Sequence, residues 1–194
     1  AECSHCALGR ASSTVARTNV CDLCLKGQYQ AKPGSTACLN CIPGKYQSTT
    51  EQSECVDCEI GKASSEEARE TSCDSCTEGR YQANNGTTAC LNCIPGKYQS
   101  NMEQSKCIDC NVGTASSEEA RKTSCENCTK GRYQLNNGTT ACIDCIPGKY
   151  QDRSGNNQCF NCPKGTFSKN TRAKKCDLPS KGFVAGPSKA GQVA

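Results

Sequence analysis

Apolar side chains along this chain come singly or in short groups, and no apolar run approaches the ~18 residues that a membrane span requires. The pattern neither alternates for the length of a broad strand nor returns at helical spacing for the length of a long helix. Short fragments recur instead. "GRYQ" and "GKYQ" predict short strands, and "NNGT" and "KPGS" predict turns. "ASSEEAR" predicts one helical turn, capped by Ser64 or Ser116 with Glu67 or Glu119 three residues on. The expected secondary structure is sparse: short β-hairpins, little helix and no broad sheet.

The fragments stand at fixed distances. "CIPGKYQSTTEQSEC" at 41–55 returns as "CIPGKYQSNMEQSKC" at 93–107 and as "CIPGKYQDRSGNNQC" at 145–159, each 52 residues after the last. Ten CxxC pairs begin at 3, 21, 38, 55, 73, 90, 107, 125, 142 and 159, in steps of 18, 17 and 17, and a lone Cys176 follows. In all ten units a glycine stands three residues after the second cysteine, where it can supply a positive φ or a close backbone approach. Two residues further on come Tyr29, Tyr46, Tyr81, Tyr98, Tyr133, Tyr150 and Phe167 in seven units and alanine in three. These aromatics are placed to cover the neighbouring disulfide; an aromatic stripe for a sugar or a partner is the alternative.

A unit of 17 residues cannot bury a face alone, so the period predicts a one-dimensional array in which each unit touches the next in line. The organisation is unit one at 1–20, units two and three at 21–54, four to six at 55–106, seven to nine at 107–158, ten at 159–176, and a Gly/Pro/Ser/Lys-rich tail at 177–194.

Composition explains what must hold such an array together. The chain has 21 cysteines in 194 residues, no Trp, one Met and three Phe, too little material for a core of large apolar side chains. Above about 8–10% cysteine a chain reads as a disulfide scaffold, which persists in oxidising compartments. The expectation is an extracellular protein, secreted or at the cell surface. The opening "AECSHC" has no initiator Met, basic stretch or apolar stretch, so a removed signal peptide or an excised piece is expected. A net charge of +4 with both signs interspersed is no nucleic-acid footprint.

Two pairing schemes fit the period. In the first, the second cysteine of each pair bonds to the first of the next: Cys6–Cys21, Cys24–Cys38, Cys41–Cys55, Cys58–Cys73, Cys76–Cys90, Cys93–Cys107, Cys110–Cys125, Cys128–Cys142, Cys145–Cys159 and Cys162–Cys176. Cys3 is then unpaired or bonded to another unit. The second scheme crosses neighbouring pairs, Cys3 with Cys21 and Cys6 with Cys24, and strands Cys176. The first is preferred because it explains why a bare Cys176 ends the series.

"CIPGKYQSTTEQSEC" resembles the A-type module of tumour necrosis factor receptor ectodomains, and the tandem C-x-x-C-x-x-G-x-Y series over residues 3–176 is still more similar to ephrin-receptor-like cysteine-rich repeats. The resemblance implies an elongated, disulfide-laddered ectodomain without enzymatic activity. Receptor ectodomains vary from module to module, however, whereas this chain repeats itself almost word for word, which suits a rod or a polymer.

The same residues admit rivals. Zinc is the sharpest, since CxxC…CxxC is a metal signal, but the odd cysteine, the Gly-x-aromatic frame and N-glycosylation sequons at Asn85, Asn127 and Asn137 stand against it. Redox catalysis needs one distinctive thiol rather than ten interchangeable copies. His5, the one histidine, reads as a solvent-facing spacer, and Glu66, Glu67, Glu118 and Glu119 as solvated turn residues with calcium or salt bridges as the alternative. The expected fold is a solenoid-like, elongated ladder of small disulfide-rich rungs of ~17 residues without a large hydrophobic core. The expected function is non-enzymatic and cofactor-free: a rod-like segment of an extracellular filament, surface appendage or matrix. Its expected partners are copies of itself, other extracellular structural proteins or glycans, with no nucleic acid and no membrane span. A ligand-binding or adhesion receptor ectodomain is the alternative, and a multi-zinc protein a lesser one.

Overall fold

A computed structural model describes residues 5–13 and 21–180, and the chain divides into two units, 1–91 with 101–106 and 92–100 with 107–194. Cys3 and residues 181–194 of the tail lie outside the described residues. Among the described residues there are eighteen strands of two residues each and no helix.

In the first unit Arg10–Ala11 pairs with Asp22–Leu23, Gln28–Tyr29 with Leu39–Asn40, Lys45–Tyr46 with Val56–Asp57, and Lys62–Ala63 with Asp74–Ser75, all antiparallel. In the second, Lys97–Tyr98 pairs with Ile108–Asp109, Thr114–Ala115 with Glu126–Asn127, Arg132–Tyr133 with Ile143–Asp144, and Lys149–Tyr150 with Phe160–Asn161. Each hairpin begins at a tight turn. At 42–45 the Lys45 amide donates to the Ile42 carbonyl at 3.1 Å across Pro43 and Gly44, whose φ is 87°. Pro followed by a positive-φ Gly is the signature of a type II turn. The second strand of each hairpin is the pair of residues between two bonded cysteines, which is why no ladder grows longer.

Successive loops are joined by three backbone hydrogen bonds. In the first unit the Gly27 amide donates to the Gln47 carbonyl at 2.8 Å, the Gln47 amide to Arg69 at 3.0 Å, and the Ala68 amide to Cys41 at 2.8 Å. In the second unit the equivalent bonds run from Gly113 to Gln134 at 2.7 Å, Gln134 to Asn156 at 3.2 Å and Gly138 to Cys110 at 2.8 Å. The amide that reaches back to a cysteine carbonyl always belongs to a left-handed residue: Gly34, Glu51, Ala68, Gly86, Glu103, Ala120, Gly138, Gly155 or Arg172. For the non-glycine members this conformation costs on the order of 1–2 kcal/mol each, which the recurring bond offsets.

The carbonyl of that left-handed residue also abuts the turn glycine two loops earlier. Glu51 meets Gly9, Ala68 meets Gly27, Gly86 meets Gly44 and Gly155 meets Gly113, each closer than 3.0 Å to where a Cβ would stand. Contact therefore reaches the second neighbour and not the next unit alone, because a missing side chain lets another backbone close in. Gly165 differs. It keeps the same turn conformation, φ 81°, yet is exposed and has none of the described residues within 4 Å of its Cβ position.

The interior is a thread of sulfur and amide rather than an oily core. The second cysteine of the pairs, from Cys24 to Cys162, is 0–2% exposed, and Gln30, Gln47, Gln82, Gln99, Gln134 and Gln151 are 0–5% exposed. Among the described residues seventeen large apolar side chains, including Leu25, Ile42, Ile94 and Ile146, are exposed instead. "SSEEAR" does not form the helical turn that its capping pattern predicts. Ala68 and Ala120 both have φ 52°, and the Ser64 hydroxyl accepts from the Glu66 amide, two residues on, at 3.2 Å. The left-handed alanine is needed to send its amide back to the preceding cysteine, and that demand overrides local propensity.

Candidate functional site

Ten disulfides join the second cysteine of one pair to the first of the next: Cys6–Cys21, Cys24–Cys38, Cys41–Cys55, Cys58–Cys73, Cys76–Cys90, Cys93–Cys107, Cys110–Cys125, Cys128–Cys142, Cys145–Cys159 and Cys162–Cys176. Their Cα–Cα separations lie between 5.4 and 5.8 Å. A bonded sulfur is not a thiolate, so these twenty cysteines are not available as zinc ligands. Among the described residues no group of three or more His, Cys, Asp or Glu side chains is placed to hold a metal ion.

Inside the six tyrosine-bearing loops a buried glutamine organises the chain. Gln47 donates to the Glu54 carbonyl at 2.9 Å and accepts from the Thr49 amide at 3.0 Å. Gln134 donates to Ala141 at 2.7 Å and accepts from Asn136 at 3.1 Å, and Gln151 repeats the pattern with Gln158 and Arg153. One side chain thus satisfies two backbone groups seven and two residues downstream, in the place where an apolar residue would satisfy neither. In loops 58–73 and 110–125, which are one residue longer, serine and arginine take over. Arg69 donates to the Ser72 carbonyl at 2.9 Å, to Asp74 at 2.7 Å and to the Ser64 hydroxyl at 3.2 Å. Sequence reasoning passed over these glutamines, although the signal was present: Gln follows Tyr in all six Tyr units.

Each of the aromatic-bearing hairpins that follow has two unlike faces, whereas Ala11, Ala63 and Ala115 stand opposite Asp22, Asp74 and Glu126. On one, the aromatic stands opposite an apolar residue: Tyr29 and Leu39, Tyr46 and Val56, Tyr98 and Ile108, Tyr133 and Ile143. Tyr150 faces Phe160 with ring centroids 6.2 Å apart. These tyrosine rings are half-buried, as are Tyr81 and Phe167, whose ring has the Lys169 ammonium 5.5 Å from its centre, while Phe160 is exposed. On the other face sit charged or amide pairs, such as Lys97 and Asp109 at 2.5 Å and Arg132 and Asp144 at 2.7 Å. Asp144 also accepts from Arg172 of a later loop at 2.8 Å. The Arg172 guanidinium foremost, with Arg132 beside it, holds the Asp144 carboxyl below the usual range.

The remaining candidates are paired or exposed. Glu66 and Glu118 bond Arg69 and Arg121 at 2.8 and 2.6 Å, and Glu67 and Glu119 accept from Asn40 and Asn92. His5, Asn85, Asn127 and Asn137 are exposed. A shallow cavity of about 280 Å³ in the second unit is lined by Ser116, Glu118, Arg121, Glu126, Asn127 and Arg132 among others. Its charges are matched to one another or to Asp144.

Residues 131–178 match a family model described as tyrosine-protein kinase ephrin type A/B receptor-like. The repeat is a cysteine-rich one of ephrin-receptor-like type. No curated protein matches the chain. The matched stretch of ephrin-receptor-like repeat contains the turn glycines Gly131, Gly148 and Gly165 and the bonds Cys145–Cys159 and Cys162–Cys176. Such a module with ten disulfides fits an extracellular, non-cytosolic protein. No helix among the described residues is long and apolar enough to cross a membrane.

Proposed function

We propose that this chain is a non-enzymatic structural segment of an extracellular assembly, a filament, surface appendage or matrix, in which copies of the chain or other extracellular structural proteins stack rung on rung. The observation that carries this reading is the uniform joint. The same three backbone bonds recur from loop to loop, and seven turn glycines receive a backbone carbonyl from two loops on. Gly165 keeps that conformation with none of the described residues in its place, so its rung offers a joint that a further rung of the same kind fits.

The test is sedimentation and negative-stain imaging of the disulfide-intact chain over a wide concentration range. Stacking gives concentration-dependent polymers with a constant axial repeat, and Gly165→Val, which fills the open place, suppresses them. Particles that stay single at every concentration overturn the structural reading. The second reading, a ligand-binding or adhesion ectodomain secreted or held at the cell surface, is supported by the ephrin-receptor-like match and by the exposed apolar residues beside the tyrosines. Dispersed molecules that bind a partner saturably favour it.

A further inference from the structure

The three sequons occupy two unlike places in the fold. Asn85 and Asn137 are equivalent positions 52 residues apart, in "NNGT" of loops 76–90 and 128–142. In both turns the preceding asparagine amide is tied to the buried glutamine, Asn84 to Gln82 and Asn136 to Gln134, each at 3.1 Å. The following glycine amide is tied to an earlier cysteine carbonyl, Gly86 to Cys58 and Gly138 to Cys110, each at 2.8 Å. Backbone groups on both sides are engaged, while the Asn85 and Asn137 side chains point to an exposed surface. A sugar there meets no rung-to-rung bond.

Asn127 is placed otherwise. It lies in the strand Glu126–Asn127, paired with Thr114–Ala115, in the two-residue link between Cys125 and Cys128. Its side-chain oxygen stands 3.0 Å from where a Cβ on Gly155 would be, so its amide lies against the next loop but one. Asp57 against Gly86 and Asp109 against Gly138 repeat that contact in other rungs. The middle residue of this sequon, Cys128, is 1% exposed and bonded to Cys142. Asn127 is itself exposed, but its Oδ1 already lies against the Gly155 backbone and its residue is paired in a strand, so a glycan there would crowd that contact.

We propose that Asn85 and Asn137 carry N-linked glycans and that Asn127 stays bare. The inference rests on the extracellular reading, since the modification is made on the secretory route. The sugars then sit at the same place on each of two equivalent rungs, and the hairpin faces carrying Tyr and the ion pairs stay uncovered.

The test is expression of the full chain through a eukaryotic secretory pathway, release of glycans by N-glycosidase in heavy-oxygen water, and mass spectrometry of tryptic peptides. The sites fall in separate peptides, 81–97, 133–149 and 123–130. The expected result is heavy-oxygen aspartate at 85 and 137 and unlabelled Asn127, with the Asn85→Gln/Asn137→Gln variant losing the whole glycan mass shift. Occupancy at Asn127, or a secreted and oxidised chain without sugar, overturns the proposal. A chain recovered reduced inside the cell, by contrast, sinks the extracellular reading itself.

Discussion

At the scale of single residues, the usual assignment of inside and outside is inverted. Gln134 is 3% exposed and Leu135 beside it is 58% exposed. The reason is hydrogen-bond accounting: a loop of this size has backbone groups to satisfy and no layer of apolar side chains to hide them behind. Gln134→Leu removes both partners of the Ala141 carbonyl and the Asn136 amide, and the variant should lose about 2 kcal/mol in guanidinium denaturation of the disulfide-intact chain. Leu135→Gln should stay within about 0.5 kcal/mol of the parent in the same measurement. The turn glycines were legible from sequence because no other residue serves a positive φ so readily at a fixed place. The glutamines were not, because a polar residue following a tyrosine looks the same whether it faces solvent or the backbone.

At the scale of elements, the two-residue hairpin is the unit, and its polar face couples rungs that are not adjacent. Asp144 is the clearest case, held by Arg132 of its own hairpin and by Arg172 of a later loop. Its carboxyl is depressed in the folded chain, so its contribution is present above the unfolded value of about 3.9 and is lost as pH falls through the lower folded value. Unfolding measured between pH 2 and 5 should therefore be less pH-dependent in Asp144→Asn than in the parent, and the two should run parallel above pH 6. Short strands and turns were readable from "GKYQ" and "NNGT". The supposed helical turn at "SSEEAR" was not, since a capping box describes a local preference, whereas Ala68 and Ala120 answer to a cysteine carbonyl in the preceding loop.

At the scale of the molecule, stability is local and covalent. Each loop closed over 14 or 15 residues restricts the unfolded chain by about 3 kcal/mol. Because the contacts among the described residues link a loop to its first and second neighbours, damage should stay near its origin. Replacing Cys58 and Cys73 together by serine should abolish amide-exchange protection in that loop and weaken it within two loops on either side. The loops 128–142 and 145–159 should keep theirs, and exchange followed by mass spectrometry reads the difference. The fixed cysteine period made the repetition legible from sequence; the second-neighbour contact was not, since nothing in a glycine's spacing tells which backbone will approach it.

The bonding of each loop onto itself has a mechanical consequence. A pull on the two ends of the chain travels across a sulfur bridge of 5.4–5.8 Å between Cα atoms, along the two link residues, and across the next bridge. The loop residues lie off the load path. With every non-covalent joint torn open, one rung can extend to about 16 Å, against about 60 Å if its sulfurs were reduced. Overstretched, the polypeptide becomes a short, beaded tether that keeps most of its slack locked away.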